Sequence, residues 1–283
     1  MLKKLLILFT VTALVCTSTG CGAKPSDGDT SLEDIIAKGE MVLGCDDSFP
    51  PMGFRDQDGE IIGFDIDLAR AVAEELGVEL VVRPINWDTK EMELINGNID
   101  LIWNGYTITS GRDAEVEFSK PYLNNEQVFV VRADSGIYTP ADLAGVDVGC
   151  QIQSAAESAI TGDGELFSSI DELRTYDTYQ DALLDLRISD RVAAVAVDRI
   201  LINYEMTQLP GEYRVLDEAL SVEYYGIGMR QGSVALREAI DKALDDLQAD
   251  GSTGEISGKW FGEDIVIRNV EKLTQDDLWE LEG

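Results

Sequence analysis

The chain runs through the same strand-then-helix alternation twice, and this repetition limits its fold more than any other feature. Short apolar runs at residues 41–44, 80–82 and 99–103 read as strands. Between the first two, Ile66, Leu68, Ala69, Val72, Ala73 and Leu76 recur at helical spacing over residues 64–76, and Gly77 supplies a stop. After a strand at 128–131 the pattern begins again, with a strand at 146–150, a helix opening at Ser154, a helix over 179–186 and a strand at 192–197. Residues 225–229 return as a strand, 234–247 form a strongly amphipathic helix, and 272–281 add a short one. Strands alternating with helices predict an α/β fold, and two such modules predict two lobes. No Pro/Gly-rich linker separates them, so the chain should pass between lobes at two crossings, near 130–133 and 221–225. Lobe 1 then comprises 31–131 and 223–283 and lobe 2 comprises 132–222, with a hinged cleft between them.

Charge and residue usage exclude several functions. Against 54 acidic residues stand 22 Lys and Arg, a formal charge of −32. Nucleic acid is not an expected partner, because phosphates are met by neutralising cations and the only basic cluster is Lys3-Lys4. The chain has no His, which removes Ser-His-Asp and Cys-His nucleophiles and the HExxH zinc site. Proton transfer by carboxylates remains open. A hydrophobic content of 45% with 27% charged residues is globular, and 283 residues suffice for two cores.

The N-terminus reads as an export signal. Lys3-Lys4 precede a largely apolar run over 5–15, too short for the roughly 20 residues of a membrane helix, and small and polar residues follow. Residues 1–20 are therefore expected to be a signal peptide. Ser18-Thr19-Gly20-Cys21 resembles a lipobox, which makes Cys21 the lipid-bearing N-terminus and 21–30 a flexible tether; secretion without lipid is the alternative. Cys45 and Cys150 lie far apart and belong to no C-x-x-C pair, so they form either one disulfide or two free thiols.

Two motifs carry less than they suggest. Asp56-Gln57-Asp58-Gly59 puts Phe54 at the first ligand position of a calcium loop and is read as a hairpin turn. Gly226-Ile227-Gly228 lacks the third glycine of a dinucleotide site, and no phosphate loop is present. Neither cofactor nor metal is expected.

The polar residues at the ends of the strands stand where open α/β sheets bind ligands. The stretches 49–54 (Phe-Pro-Pro-Met-Gly-Phe), 63–69 (Gly-Phe-Asp-Ile-Asp-Leu-Ala), 105–109 (Gly-Tyr-Thr-Ile-Thr) with Arg112, and 118–122 (Phe-Ser-Lys-Pro-Tyr) are characteristic. So are 142–145 (Asp-Leu-Ala-Gly), 148–151 (Val-Gly-Cys-Gln), 195–198 (Val-Ala-Val-Asp) and 259–262 (Lys-Trp-Phe-Gly). In this order, over roughly 31–262, the chain resembles the family 3 extracellular solute-binding proteins of polar amino-acid ABC importers. That resemblance implies a two-lobed periplasmic-binding-protein fold of type II. It also implies a monomer held outside the membrane by its lipid, an ABC permease with its ATPase as partners, and an amino acid as ligand.

Chemistry supports the same residues. Taking a zwitterion out of water requires a fixed cation at one end and an anion at the other. Arg112 can bind a carboxylate through its planar fork, and the resemblance adds Thr107 with Ser154 and Ala155 at a helix N-terminus. By the same resemblance Asp198 and the Gly105 carbonyl take the ammonium beside Asn104, and Phe49 and Trp87 sandwich the ligand side chain. The alternatives are a surface Arg112, an Asp198 that caps the next helix, and core roles for Phe49 and Trp87. Asp46 is expected at the far end of the ligand side chain, selecting a polar or basic amino acid over an acidic one; the alternative is a turn cap shared with Ser48. The chain departs from the pattern at Gln153, usually Gly, at Ala155, usually Thr or Ser, at Tyr106, usually Met or Leu, and at Ser110-Gly111. The runner-up function is an exported enzyme on the same scaffold, similar to cyclohexadienyl dehydratase, using carboxylates such as Asp198.

Overall fold

The computed structural model describes residues 28–189 and 191–282, so the expectations for the signal peptide and Cys21 lie outside the described residues. Each half is built on a five-stranded sheet. In the first, the strand order is Glu79–Pro84, Glu40–Cys45, Leu101–Ile102, Gly228–Arg230, Val116–Phe118. The first three are parallel, and Gly228–Arg230 runs against both of its neighbours. The second sheet repeats the plan with Leu173–Tyr176, Val148–Gln151 and Ala194–Asp198 parallel, then Leu123–Arg132 and Tyr213–Tyr225 antiparallel. In both, the middle of the parallel trio comes first in the chain, so the chain winds outward in two directions from it. The switch point this creates opens a crevice beyond the carboxyl ends of those strands.

Local sequence explains the elements that frame the crevice. The Phe64–Leu76 helix buries Phe64, Ile66, Leu68, Ala69, Val72 and Ala73, the face expected from their spacing, and ends on Gly77 in the left-handed conformation. Fully burying such side chains is worth about 1.5–3 kcal/mol each for the larger ones. Its first turn fits because Gly63 has φ +150° and a Cβ there would lie 2.1 Å from the Met52 carbonyl oxygen. Gly53–Arg55 and Ile61–Ile62 pair across the turn at 56–59, as expected, and with Ser48–Phe49 form a small third sheet that presents Phe49.

Sheet membership moves one crossing. Leu123–Arg132 belongs wholly to the second sheet, with Leu123 opposite Tyr225 and Arg132 opposite Tyr213. The chain therefore passes between sheets at 122–123 rather than near 130–133, and returns between Tyr225 and Gly228. Only the apolar half of that strand, 128–131, was visible as a strand. The polar residues 124–127 complete it because their backbone pairs with 221–224 and the amides of Asn125 and Gln127 find a buried partner in Asp198. The 225–229 run is likewise two pieces, one ending in each sheet. Cys45 and Cys150 sit in strands of different sheets, both buried and free.

Candidate functional site

Eight of the ten binding residues expected from the sequence come together where the two sheets face each other. Phe49, Trp87, Gly105, Thr107 and Arg112 from the first lobe, with Ser154, Ala155 and Asp198 from the second, line one small cavity, joined by Gln151 and Tyr179. They close on one another tightly, leaving about 10 Å³. The other two lie just outside that lining. Asn104 accepts from the Asp46 backbone N–H at 2.7 Å. Asp46 faces an adjoining cavity of about 220 Å³ that it shares with Trp87, Asp47, Asp88 and Asp177.

At one end of the site stands Arg112. It is carried by the one-turn helix Ser110–Asp113, whose first residue follows Thr109, the side-chain cap for the Arg112 N–H. The guanidinium lies 4.7 Å over the Tyr106 ring and donates to the Thr107 carbonyl at 2.9 Å. Its second arm crosses to the other lobe and donates to the Gln153 carbonyl at 3.0 Å. Lys90, whose side chain is almost fully buried beside Trp87, donates to that same carbonyl at 3.1 Å. Burial, with the nearby Arg112 charge, lowers the Lys90 pKa to about 8. Gln153 has φ +55°, which shows why a glycine suits this position. Directly after it, Ser154 caps the Ala155–Gly162 helix by accepting from the Glu157 N–H, so the positive end of that helix faces the cavity.

At the other end lies Asp198, 4% exposed, at the end of a fully buried strand. It stands at the start of the Arg199–Gln208 helix but makes no side-chain cap there. Its Oδ1 instead accepts from Tyr225 (2.6 Å), Asn125 (2.8 Å) and Gln127 (2.9 Å). The same two amides donate to Glu223 Oε1, at 2.5 and 2.8 Å, and the Thr107 hydroxyl adds a third bond at 3.0 Å. Two buried carboxyls thus share their donors. Burial raises both pKa values, and the neighbouring Asp198 charge helps lift that of Glu223 to about 8.

Gly105 links this end to the first lobe. Its φ is +58°, and a Cβ there would meet the Phe49 ring at 2.8 Å and Tyr225 at 3.2 Å. Its N–H donates to Asp65 Oδ2 at 2.7 Å, an acceptor that also takes the Tyr122 hydroxyl at 3.0 Å. Asp65 is fully buried, and desolvation pushes its pKa to about 7. Asp46 makes the turn cap that was the alternative reading, Oδ1 accepting from the Ser48 N–H and hydroxyl, and its Oδ2 also accepts from Gln151 of the other lobe at 2.6 Å, a bond not expected from the sequence. Desolvation raises its pKa too.

Lys90, Gln151, Tyr179 and Glu223 were not among the expected site residues. Period-two alternation along the strand puts Glu223 on the face of Tyr225, and Asn125 on that of Gln127. That signal was present but is weak in segments rich in polar residues.

Residues 41–263 match the bacterial extracellular solute-binding proteins, family 3. The chain belongs to that family. Among its relatives is the L-cystine-binding protein TcyJ of Escherichia coli, 30% identical over 254 residues, 89% of this chain and 94% of that one. A crystal structure of an ABC uptake transporter substrate-binding protein from Streptococcus pneumoniae with bound histidine superposes with a TM-score of 0.82 at 39% identity. That match covers 84% of this chain and 98% of the other. The ancestral amino acid-binding protein AncCDT-1, a precursor of cyclohexadienyl dehydratase, gives 0.75 at 31% identity, covering 82% and 99%. The fold is accordingly the two-lobed α/β fold of periplasmic amino-acid-binding proteins. No described helix is long and apolar enough to cross a membrane.

Proposed function

We propose that the protein captures a free amino acid between its two lobes and delivers it to an ABC importer. The observation that carries this reading is the meeting, in one cavity lined by both lobes, of a cationic end and an anionic end. Arg112 and the start of the Ala155–Gly162 helix would receive the α-carboxylate, and Asp198 with the Gly105 carbonyl the α-ammonium. Both charges must be desolvated together, so binding favours closure, which brings the two halves of the site into register.

The side chain of the ligand then lies between Phe49 and Trp87 and points toward Asp46. The adjoining cavity is walled in part by four carboxylates, Asp46, Asp47, Asp88 and Asp177, with no Lys or Arg among its described lining residues. A polar or basic side chain gains there, and an acidic one is repelled.

A thermal-shift screen of the mature protein against the standard amino acids and L-cystine tests the reading. Only ligands of the folded state raise the melting temperature, by the equivalent of about 2.7 kcal/mol at a hundredfold excess over Kd. No shift with any of them would refute it. Incubation with a cyclohexadienyl acid should leave that compound unchanged; its turnover would favour the enzyme. The lipid on Cys21 would hold the protein at the outer face of the membrane beside its permease, as a monomer.

A further inference from the structure

The segment beyond residue 263 lies past the family match, yet it is fastened to the lobe that carries Arg112. The Ile267 N–H donates to the Tyr122 carbonyl at 2.9 Å, next to the first passage between the sheets. Arg268 is buried against Asp241, and Lys272 Nζ donates to Glu117 at 2.6 Å. The helix Gln275–Glu282 then packs against the turn Ser110–Asp113. Gln275 Nε2 donates to Asp113 Oδ2 at 2.6 Å and to the Ser110 carbonyl at 3.3 Å. Leu278, 1% exposed, enters the apolar cluster of Tyr106, Ile108, Val116 and Phe118. Tyr106 is the ring beneath the Arg112 guanidinium.

A helix of one turn has little stability of its own, since closing the first turn fixes about six dihedrals for a single hydrogen bond. A binding group also has to be held within about 0.5 Å of its working position by packing around it. The turn that bears Arg112 takes part of this support from the C-terminal segment. We propose that residues 264–282 form a strap that positions Arg112, with Leu278 and Gln275 as its positioning residues. For its effect on affinity, this rests on the amino-acid reading above.

The test compares Leu278→Ala and Gln275→Ala with Leu143→Ala, a buried leucine in the separate apolar cluster of the second lobe. Amide hydrogen exchange of residues 110–115 in the ligand-free protein should accelerate at least tenfold in Leu278→Ala and stay unchanged in Leu143→Ala. Calorimetric titration with L-arginine, L-glutamine, L-histidine and L-cystine follows. For whichever of these the wild type binds, Kd should rise at least fivefold in Leu278→Ala and return toward normal in Leu278→Met. In an Arg112→Lys background the effect of Leu278→Ala should shrink below twofold, the coupling expected of residues that act through one another. Unchanged exchange at 110–115, or equal affinity losses in both backgrounds, would overturn the strap. If Leu278→Ala does not fold, Gln275→Ala carries the same measurements, with threefold changes expected. If the wild type binds none of the four, the exchange experiment alone decides the strap; the functional reading falls only if no standard amino acid shifts the melting temperature either.

Discussion

Replacing Glu223 by glutamine should stabilise the protein at neutral pH and have little effect in acid. The Glu223 carboxyl is buried against Asp198, and its pKa stands at about 8 instead of 4.5. Below pH 4.5 it is protonated in both the folded and the unfolded chain and contributes nothing to the pH dependence. Above that, the unfolded chain releases the proton while the folded protein keeps it until about pH 8. The folded state binds more protons, so stability falls with rising pH through this window, by up to about 1.4 kcal/mol per unit. At pH 7 the accumulated loss is about 3 kcal/mol, an upper figure for a group this buried and a large part of the 5–15 kcal/mol of an ordinary domain. Glutamine keeps the shape and can accept from Asn125, Gln127 and Thr107, but it has no proton to lose. Urea denaturation of both proteins between pH 5 and 7.5 measures the effect. The stability difference should widen by about 2–3 kcal/mol toward pH 7.5. Buried acids present in both proteins, such as Asp65 and Asp46, cancel to first order in that difference. Parallel pH profiles would refute the reasoning, because they would mean that Glu223 adds no proton to the buried Asp198–Glu223 pair on folding.

Arg112→Ala or Asp198→Asn should weaken amino-acid binding at least tenfold by calorimetry, since truncating one partner of a buried charge pair costs about 2–5 kcal/mol; near-normal affinity removes that residue from the site. Asp46→Asn should reduce affinity for the best ligand by about tenfold and narrow its preference over acidic analogues, given hydrogen bonds to charged groups worth about 1.5–3 kcal/mol. A wild type that binds glutamate or aspartate best contradicts the role given to Asp46. Cys21→Ser should release mature protein into the growth medium; retention of exported variant at the membrane would count against the lipid anchor.

What the sequence alone determined is local or carried by motif. The Phe64–Leu76 helix was readable to the residue because a glycine stands immediately before its first residue and after its last, with apolar residues at a 3.6 period between. The Val234–Asp250 helix was readable from its apolar period alone, up to its last turn. Arg112 and Asp198 were expected in one cavity from the family resemblance, with the opposite charges of a zwitterion as the chemical reason, and both line the cavity between the lobes. Tertiary structure decided what depends on contacts remote in sequence. The polar run at 124–127 carried no apolar strand signal, yet it belongs to the strand, because its backbone is paired by 221–224 and the amides of Asn125 and Gln127 serve two buried carboxyls. Glu223 resembled any other acid in a chain of 54 until Asp198 was placed beside it. Lys90 sits three residues past Trp87 on a helix start, and only the opposing lobe, by bringing the Gln153 carbonyl to it, makes it part of the site. Periodicity reports which way a side chain faces, whereas charge pairing across a cleft is set by two chain segments that meet only when both sheets have formed.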